Sequence, residues 1–176
     1  MTKRLRHPGR AGVRLFGAAM GLVLVVTAAA AQDTPAYRDD RSTATSVIES
    51  LYNAINRHEY LRAWSYFETE AGGDDATADY EAFKEGYADT VSVTIVTGTE
   101  TAEGAAGSTY YTIPAAIEAV DGEGKHRRFA GCYTLRLAQP AIQDTPPFSP
   151  LHIIEGALKP VKSGDLDAIL PESCES

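Results

Sequence analysis

The sequence predicts an α+β domain in which helices cover one face of an antiparallel sheet. Apolar residues recur at helical spacing between Thr43 and Tyr87, and at every second position in the runs between Val91 and Leu158. Glycine- and proline-marked connections of hairpin scale separate the runs of the second region. A block of helices followed by a block of strands indicates this class rather than an alternating βαβ fold.

Taken in order, the chain begins with Lys3, Arg4, Arg6, Arg10 and Arg14 and no acidic residue, after which Phe16 to Ala31 is uncharged and mostly Ala, Val, Leu and Gly. This is the pattern of a secretory signal peptide over residues 1–31, with Ala29-Ala30-Ala31 as the small-residue site for cleavage before Gln32. The expected location is secreted or periplasmic. An uncleaved membrane anchor is the minor alternative, because the apolar run falls only slightly short of the roughly 17 residues that span a bilayer. No cysteine follows the run and no adjacent arginine pair marks it, which argues against lipid anchoring and twin-arginine export.

Cleavage would remove five of the 16 basic residues and none of the 24 acidic ones, taking the net charge from −8 to about −13. Such a surface repels phosphate backbones and anionic headgroups, so neither nucleic acid nor, after cleavage, a membrane is an expected partner. The remaining length suits one domain with a single core. Cys132 and Cys174 are the only cysteines, and in an oxidising compartment a disulfide between them is the default expectation, tying a C-terminal tail (161–176) back to the sheet. No C-x-x-C and no histidine close to either cysteine supports a redox or metal role.

Residues 32–42 are polar, hold Pro35 and Asp39-Asp40, lack periodicity, and are expected to form a flexible lead-in to a domain over 43–160. Ala44, Val47, Ile48, Leu51, Tyr52 and Ile55 mark a first helix ending near Asn56, with Ser46, and Glu49 or Thr43 nearby, able to cap its start. Tyr60, Leu61, Trp64 and Phe67 mark a second helix. Gly72-Gly73-Asp74-Asp75 lacks the alternating oxygen ligands of a calcium loop and reads as a surface loop, so no metal is expected. Asp79 can cap a third helix carrying Tyr80, Phe83 and Tyr87, weakened by an interior Gly86.

Val91 to Val96 is a β-branched first strand, and Gly98 to Gly107 a turn-rich connection. Ser108 to Val120 is a second strand, where Pro114 predicts an edge or bulge. Asp121 to Gly124 is a hairpin turn. His126 to Ala138 is a third strand, with Phe129, Gly131, Tyr133, Leu135 and Leu137 on one face and Cys132 on the other. A proline-rich loop over 139–150 leads to a fourth strand, Leu151 to Leu158, and a short helix follows within Gly164 to Leu170.

With Val47 to Phe67 (VIESLYNAINRHEYLRAWSYF) as its most specific stretch, this order resembles the nuclear transport factor 2-like superfamily, the cone-shaped α+β barrel of ketosteroid isomerase, scytalone dehydratase and SnoaL-like proteins. The resemblance implies N-terminal helices packed in the concave face of a strongly bent antiparallel sheet, with a cavity between them. Catalytic members use an Asp or His base facing a hydrogen-bond donor. His58 and His126 are expected to be solvated; His152, opening an apolar strand, is the best of a weak set. Aromatic side chains are more often core than cavity, yet as a set they can wall a pocket. The candidate ligand-binding residues are Tyr52, Trp64, Phe67, Tyr80, Phe83, Tyr87, Tyr133 and His152, and the loop over 139–150 is a candidate lid.

No nucleophile elbow, zinc-protease helix, P-loop or dinucleotide fingerprint occurs, and no cofactor is expected. The leading expectation is a non-enzymatic domain that binds a small apolar or amphipathic ligand, or an envelope protein, through its cavity. Two rivals stand beside it: an isomerase or dehydratase acting next to a carbonyl, and an interaction domain that dimerises through its sheet face.

Overall fold

The computed structural model describes residues 34–68 and 76–174; the signal peptide expected over 1–31 and the glycine-aspartate segment 72–75 lie outside them. Three helices come first: α1 (Ala44–Asn56), α2 (Tyr60–Trp64) and α3 (Ala76–Gly86). The strands are β1 (Thr90–Thr97), β2 (Thr101–Ala105), β3 (Ser108–Asp121), β4 (His126–Ala138) and β5 (His152–Val161), and α4 (Leu166–Ile169) closes the chain. The strands form one antiparallel sheet in the order β1-β3-β4-β5, with β2 also on β3. The architecture is α+β, with helices followed by a strongly curved antiparallel sheet.

Thr43 caps α1 by accepting a hydrogen bond from the Ser46 amide at 3.0 Å. The helix buries Val47, Ile48, Leu51, Tyr52 and Ile55 against Val93, Ile113, Ile117, Tyr133, Leu135 and Ile153 of the sheet. Asn56 at its end fixes it to β1, because its side-chain amide accepts from the Val93 amide at 2.6 Å and donates to the Val93 carbonyl at 2.8 Å. His58 then takes a positive φ of 57°, turning the chain into α2.

Residues 34–42, the expected lead-in, form a strap across α1 and α2. The Arg38 and Asp40 amides donate to Asn53 and Ser50, Tyr66 donates to Asp39, and the Arg62 guanidinium lies 4.5 Å from the Tyr37 ring. The strap has no apolar periodicity because side-chain hydrogen bonds and cation–π contacts hold it instead of a buried face.

The second helix stops at Trp64, short of Phe67, because β5 captures the backbone. The Ile153 amide donates to the Tyr66 carbonyl, and Glu68 donates back to Ile153. The third helix begins at Ala76, so Asp79 lies within its first turn, where its charge favours the helix dipole, rather than at the cap.

The connection after Gly98 contains β2, all of whose residues are exposed. It pairs because β3 is 14 residues long and extends beyond β1. Pro114 lies in neither an edge strand nor a bulge but in the middle of central β3. It sits where β1 pairing (from Ala115) gives way to β2 pairing (up to Thr112), and its carbonyl accepts there from Gly98 at 2.8 Å. A residue's N and C=O point to the same side of a strand, so the missing N–H falls in that gap.

The hairpin at Asp121 forms as expected, with Gly124 at a positive φ of 78°. Asp121 accepts from the Lys125 amide at 2.9 Å and the Glu123 amide at 3.1 Å, and Arg127 reaches it at 3.2 Å. The Lys125 amide above all holds the Asp121 carboxyl below its usual range, with the Glu123 amide and the Arg127 charge adding to it. A depressed folded-state pKa contributes stability above the unfolded value and loses it as pH falls through the folded one. Asp121→Asn is therefore expected to be less stable than the parent at pH 7, with the difference closing below about pH 4 in parallel urea titrations. A gap that persists to pH 2 would mean that charge is not the cause.

Cys132, on the outer face of β4, is bonded to Cys174 with their α-carbons 5.9 Å apart. The bridge holds the tail on that face, where α4 lies against β3 and β1. This cover accounts for the burial of Pro114 and Ala116 on the side away from the helices. Among the described residues no helix is long and apolar enough to cross a membrane.

Candidate functional site

The curved sheet does not close completely on the helices. Between α3, the β3–β4 hairpin end and the outer part of β5 a cavity of about 660 Å³ remains, within the range of small-molecule sites. Its floor is buried: Tyr52 from α1, Val93 from β1, Ile117 from β3 and Tyr133 from β4. Its walls are Phe67, Phe83, Tyr87, Phe129 and Leu158, and its mouth carries the exposed residues Glu85, Gly86, Asp89 and Arg127.

Strand periodicity places the β4 side of this wall. Phe129 and Tyr133 point inward because they are four positions apart in a period of two. Room for the Tyr133 ring comes from Gly156 on β5, where an added Cβ would meet the ring at 2.7 Å. Helical periodicity places Tyr52 on the same α1 face as Ile48 and Ile55, pointing at the sheet.

The two floor tyrosines meet with their hydroxyl oxygens 2.6 Å apart. Their mutual bond uses one of the two hydroxyl hydrogens, and neither hydroxyl has another partner among the described residues. The second hydrogen is therefore available to an acceptor in the cavity. Burial pushes the Tyr52 phenol well above its ordinary value, with the nearby Tyr133 and Tyr87 adding to the effect. Burial raises Tyr133 as well, partly offset by the bond from Tyr52, and raises Tyr87. All three stay protonated at physiological pH, so the floor offers neutral donors and no base.

Asp121, the most enclosed carboxylate of the lining, is occupied by the Lys125 and Glu123 amides and by Arg127. A carboxylate with a lowered pKa that already accepts three hydrogen bonds is a weak general base. Among the described residues no group of three or more His, Cys, Asp or Glu side chains could hold a metal ion.

Of the eight candidates, Tyr52, Phe67, Phe83, Tyr87 and Tyr133 line the cavity together. Trp64 and Tyr80 do not. They stand behind its wall, with the Trp64 ring 5.2 Å from Phe83, 5.9 Å from Phe67 and 6.4 Å from Tyr80. Helix-on-helix packing between α2 and α3 claims these two rings, which a sequence periodicity cannot separate from a cavity-facing pair.

His152 is buried away from the cavity. Its Nδ1 donates to the Pro150 carbonyl at 2.8 Å, and its Nε2 lies 3.4 Å from a Glu68 oxygen. His58 is exposed beside the Tyr60 hydroxyl, and His126 is exposed 2.9 Å from Glu118. None of the three lines the cavity.

The loop over 139–150 is not its lid either. It leaves the far end of the β3–β4 hairpin, where Gln139 donates to Gly107, and none of its residues lines the cavity. The sequence reading missed the cavity role of Phe129, although its inward alternation with Tyr133 was the available signal. It also missed the charged mouth, for which no sequence pattern exists.

No protein-family model matches the chain. No curated protein matches it in sequence. Among solved structures it is similar to a candidate dehydratase of the nuclear transport factor 2-like family from Streptomyces avermitilis. That similarity is 11% in identity, covers 66% of this chain and 93% of that one, and has a TM-score of 0.45.

Proposed function

We propose that this is an exported, non-enzymatic domain of the nuclear transport factor 2-like kind that takes a small apolar or amphipathic molecule into its cavity. The observation that carries the reading is the Tyr52–Tyr133 hydroxyl pair on the floor of an aromatic-walled cavity of about 660 Å³. Apolar walls with one or two placed polar groups are what small-molecule sites are made of. The pair selects a ligand whose apolar body ends in an oxygen acceptor such as a carbonyl. Export rests on the basic, apolar and small-residue pattern of residues 1–31 and agrees with the disulfide.

The test is titration of the exported protein with naphthyl ketones and the matching hydrocarbons, read by Trp64 fluorescence. Tyr52→Phe/Tyr133→Phe removes the free hydroxyl hydrogen along with the pair, a bond worth about 1 kcal/mol, so ketone affinity is expected to fall roughly fivefold while hydrocarbon affinity holds. Ala119→Trp, which fills the cavity, is expected to abolish both. Equal binding by the parent and Ala119→Trp would move the site elsewhere.

The same phenol pair favours a second reading, an isomerase or dehydratase, because aimed donors stabilise an oxyanion formed beside a carbonyl. That chemistry also needs a base, and the hydrogen bonds that occupy Asp121 weigh against it. Loss of the α-deuterium of a labelled ketone in the presence of the protein would favour the enzyme.

A further inference from the structure

We propose that the preferred ligand of the cavity is an organic cation: an apolar body carrying an ammonium group that rests at the mouth. This rests on the cavity-binding reading above and adds the charge class of the molecule. Among the described residues four charged ones line the cavity: Glu85, Asp89, Asp121 and Arg127. They do not cancel. Arg127 is committed to Asp121 at 3.2 Å, whereas Glu85 and Asp89 make no ion pair and no side-chain hydrogen bond among the described residues.

An anionic ligand would find the Arg127 charge already offset by Asp121 and would approach two carboxylates that make no ion pair among the described residues. A cationic one meets those carboxylates directly. The backbone sets both at the opening: Ala88 donates to the Glu85 carbonyl in the turn after α3, and Gly122 ties the Asp89 carbonyl to the β3–β4 hairpin. Gly86 between them leaves the entrance clear, since nothing lies within 4 Å of where its Cβ would be.

Just inside the mouth stand Phe83 and Tyr87, with ring centroids 5.1 Å apart. Aromatic faces attract ammonium groups, and most strongly quaternary ones, whose weak hydration makes entry into such a site inexpensive. The chain's net charge of −8 adds attraction for cations at long range. Acceptor at the floor, apolar body along the walls and cation at the mouth together define one amphipathic molecule.

Three probes with one ring system test this on the exported protein: naphthylmethyl-trimethylammonium, naphthylmethanol and naphthylacetate. At low ionic strength the ammonium probe is expected to bind about tenfold more tightly than the alcohol, and the carboxylate most weakly. Added salt should narrow the spread. The double variant Glu85→Gln/Asp89→Asn, at two exposed positions, is expected to bring the ammonium-to-alcohol ratio close to one, with an unchanged melting temperature as the check on folding. Alcohol or carboxylate binding as tight as the ammonium, or an unchanged ratio in the double variant, overturns the charge preference alone. Binding of none of the three overturns the cavity reading and this inference with it.

Discussion

The chain carrying both Cys132→Ser and Cys174→Ser is expected to be less stable than the parent by about 4 kcal/mol, the chain-entropy value for closing a loop of this size. The bridge closes 42 residues, a span that contains most of β4, the proline-rich loop and all of β5. It also holds α4 against β3 and β1 on the outer face. For a domain of this length the loss corresponds to a melting point lower by roughly 8 to 16 °C, readable by calorimetry without reductant. An unchanged melting point would mean that the tail is held by packing alone. Because the freed tail would uncover Ala116 and Pro114, the mass of the same variant at high concentration also tests dimerisation through the sheet face. A monomer that stays a monomer after losing the bridge would count against that role.

Gly131→Ala is expected to cost nearly as much, about 3 kcal/mol, from one added methyl group. An ideal Cβ at this position would lie 2.0 Å from the Ala157 carbonyl oxygen and 3.0 Å from the Leu158 α-carbon. Both are backbone atoms of β5, paired with this part of β4, so no side-chain rotation relieves the clash. The strands must separate, and the sheet loses the close approach of β5 to β4 at the Gly131–Leu158 pair. Gly104→Ala is the control: it lies in exposed β2, and nothing stands within 4 Å of its Cβ. Urea midpoints that fall equally for both variants would assign the effect to lost glycine flexibility instead of the clash.

Much of the fold was legible because its signals are local. The apolar spacing of α1, the alternation of β4 and the Asp121–Gly124 turn each depend on residues a few positions apart. The cysteine pairing was legible by count, since two cysteines allow one intramolecular bond. What failed locally was decided by distant partners. Thr101–Ala105 has little strand character, and it pairs because β3 extends past β1. The helix at Trp64 ends because Ile153, far along the chain, takes up the Tyr66 carbonyl. Residues 34–42 carry no periodicity, and only the folded α1–α2 pair supplies partners for their backbone.

The candidate site divides in the same way. An aromatic set on the helices was visible in the sequence, but its four cavity-lining members and two backing rings are chemically alike there. Only packing separates Phe83, on the cavity, from Trp64 behind it. By itself the sequence determined the class of fold, the inward face of β4 and the disulfide, because periodicity and residue count are properties of the chain. Tertiary structure alone decided that Tyr52 and Tyr133, 81 positions apart, would share a hydrogen bond on a cavity floor, and that Glu85 and Asp89 would stand at its mouth without an ion pair among the described residues. Hydrogen bonds and charge balance depend on which side chains meet in space, and that is settled only when the helices dock into the curved sheet.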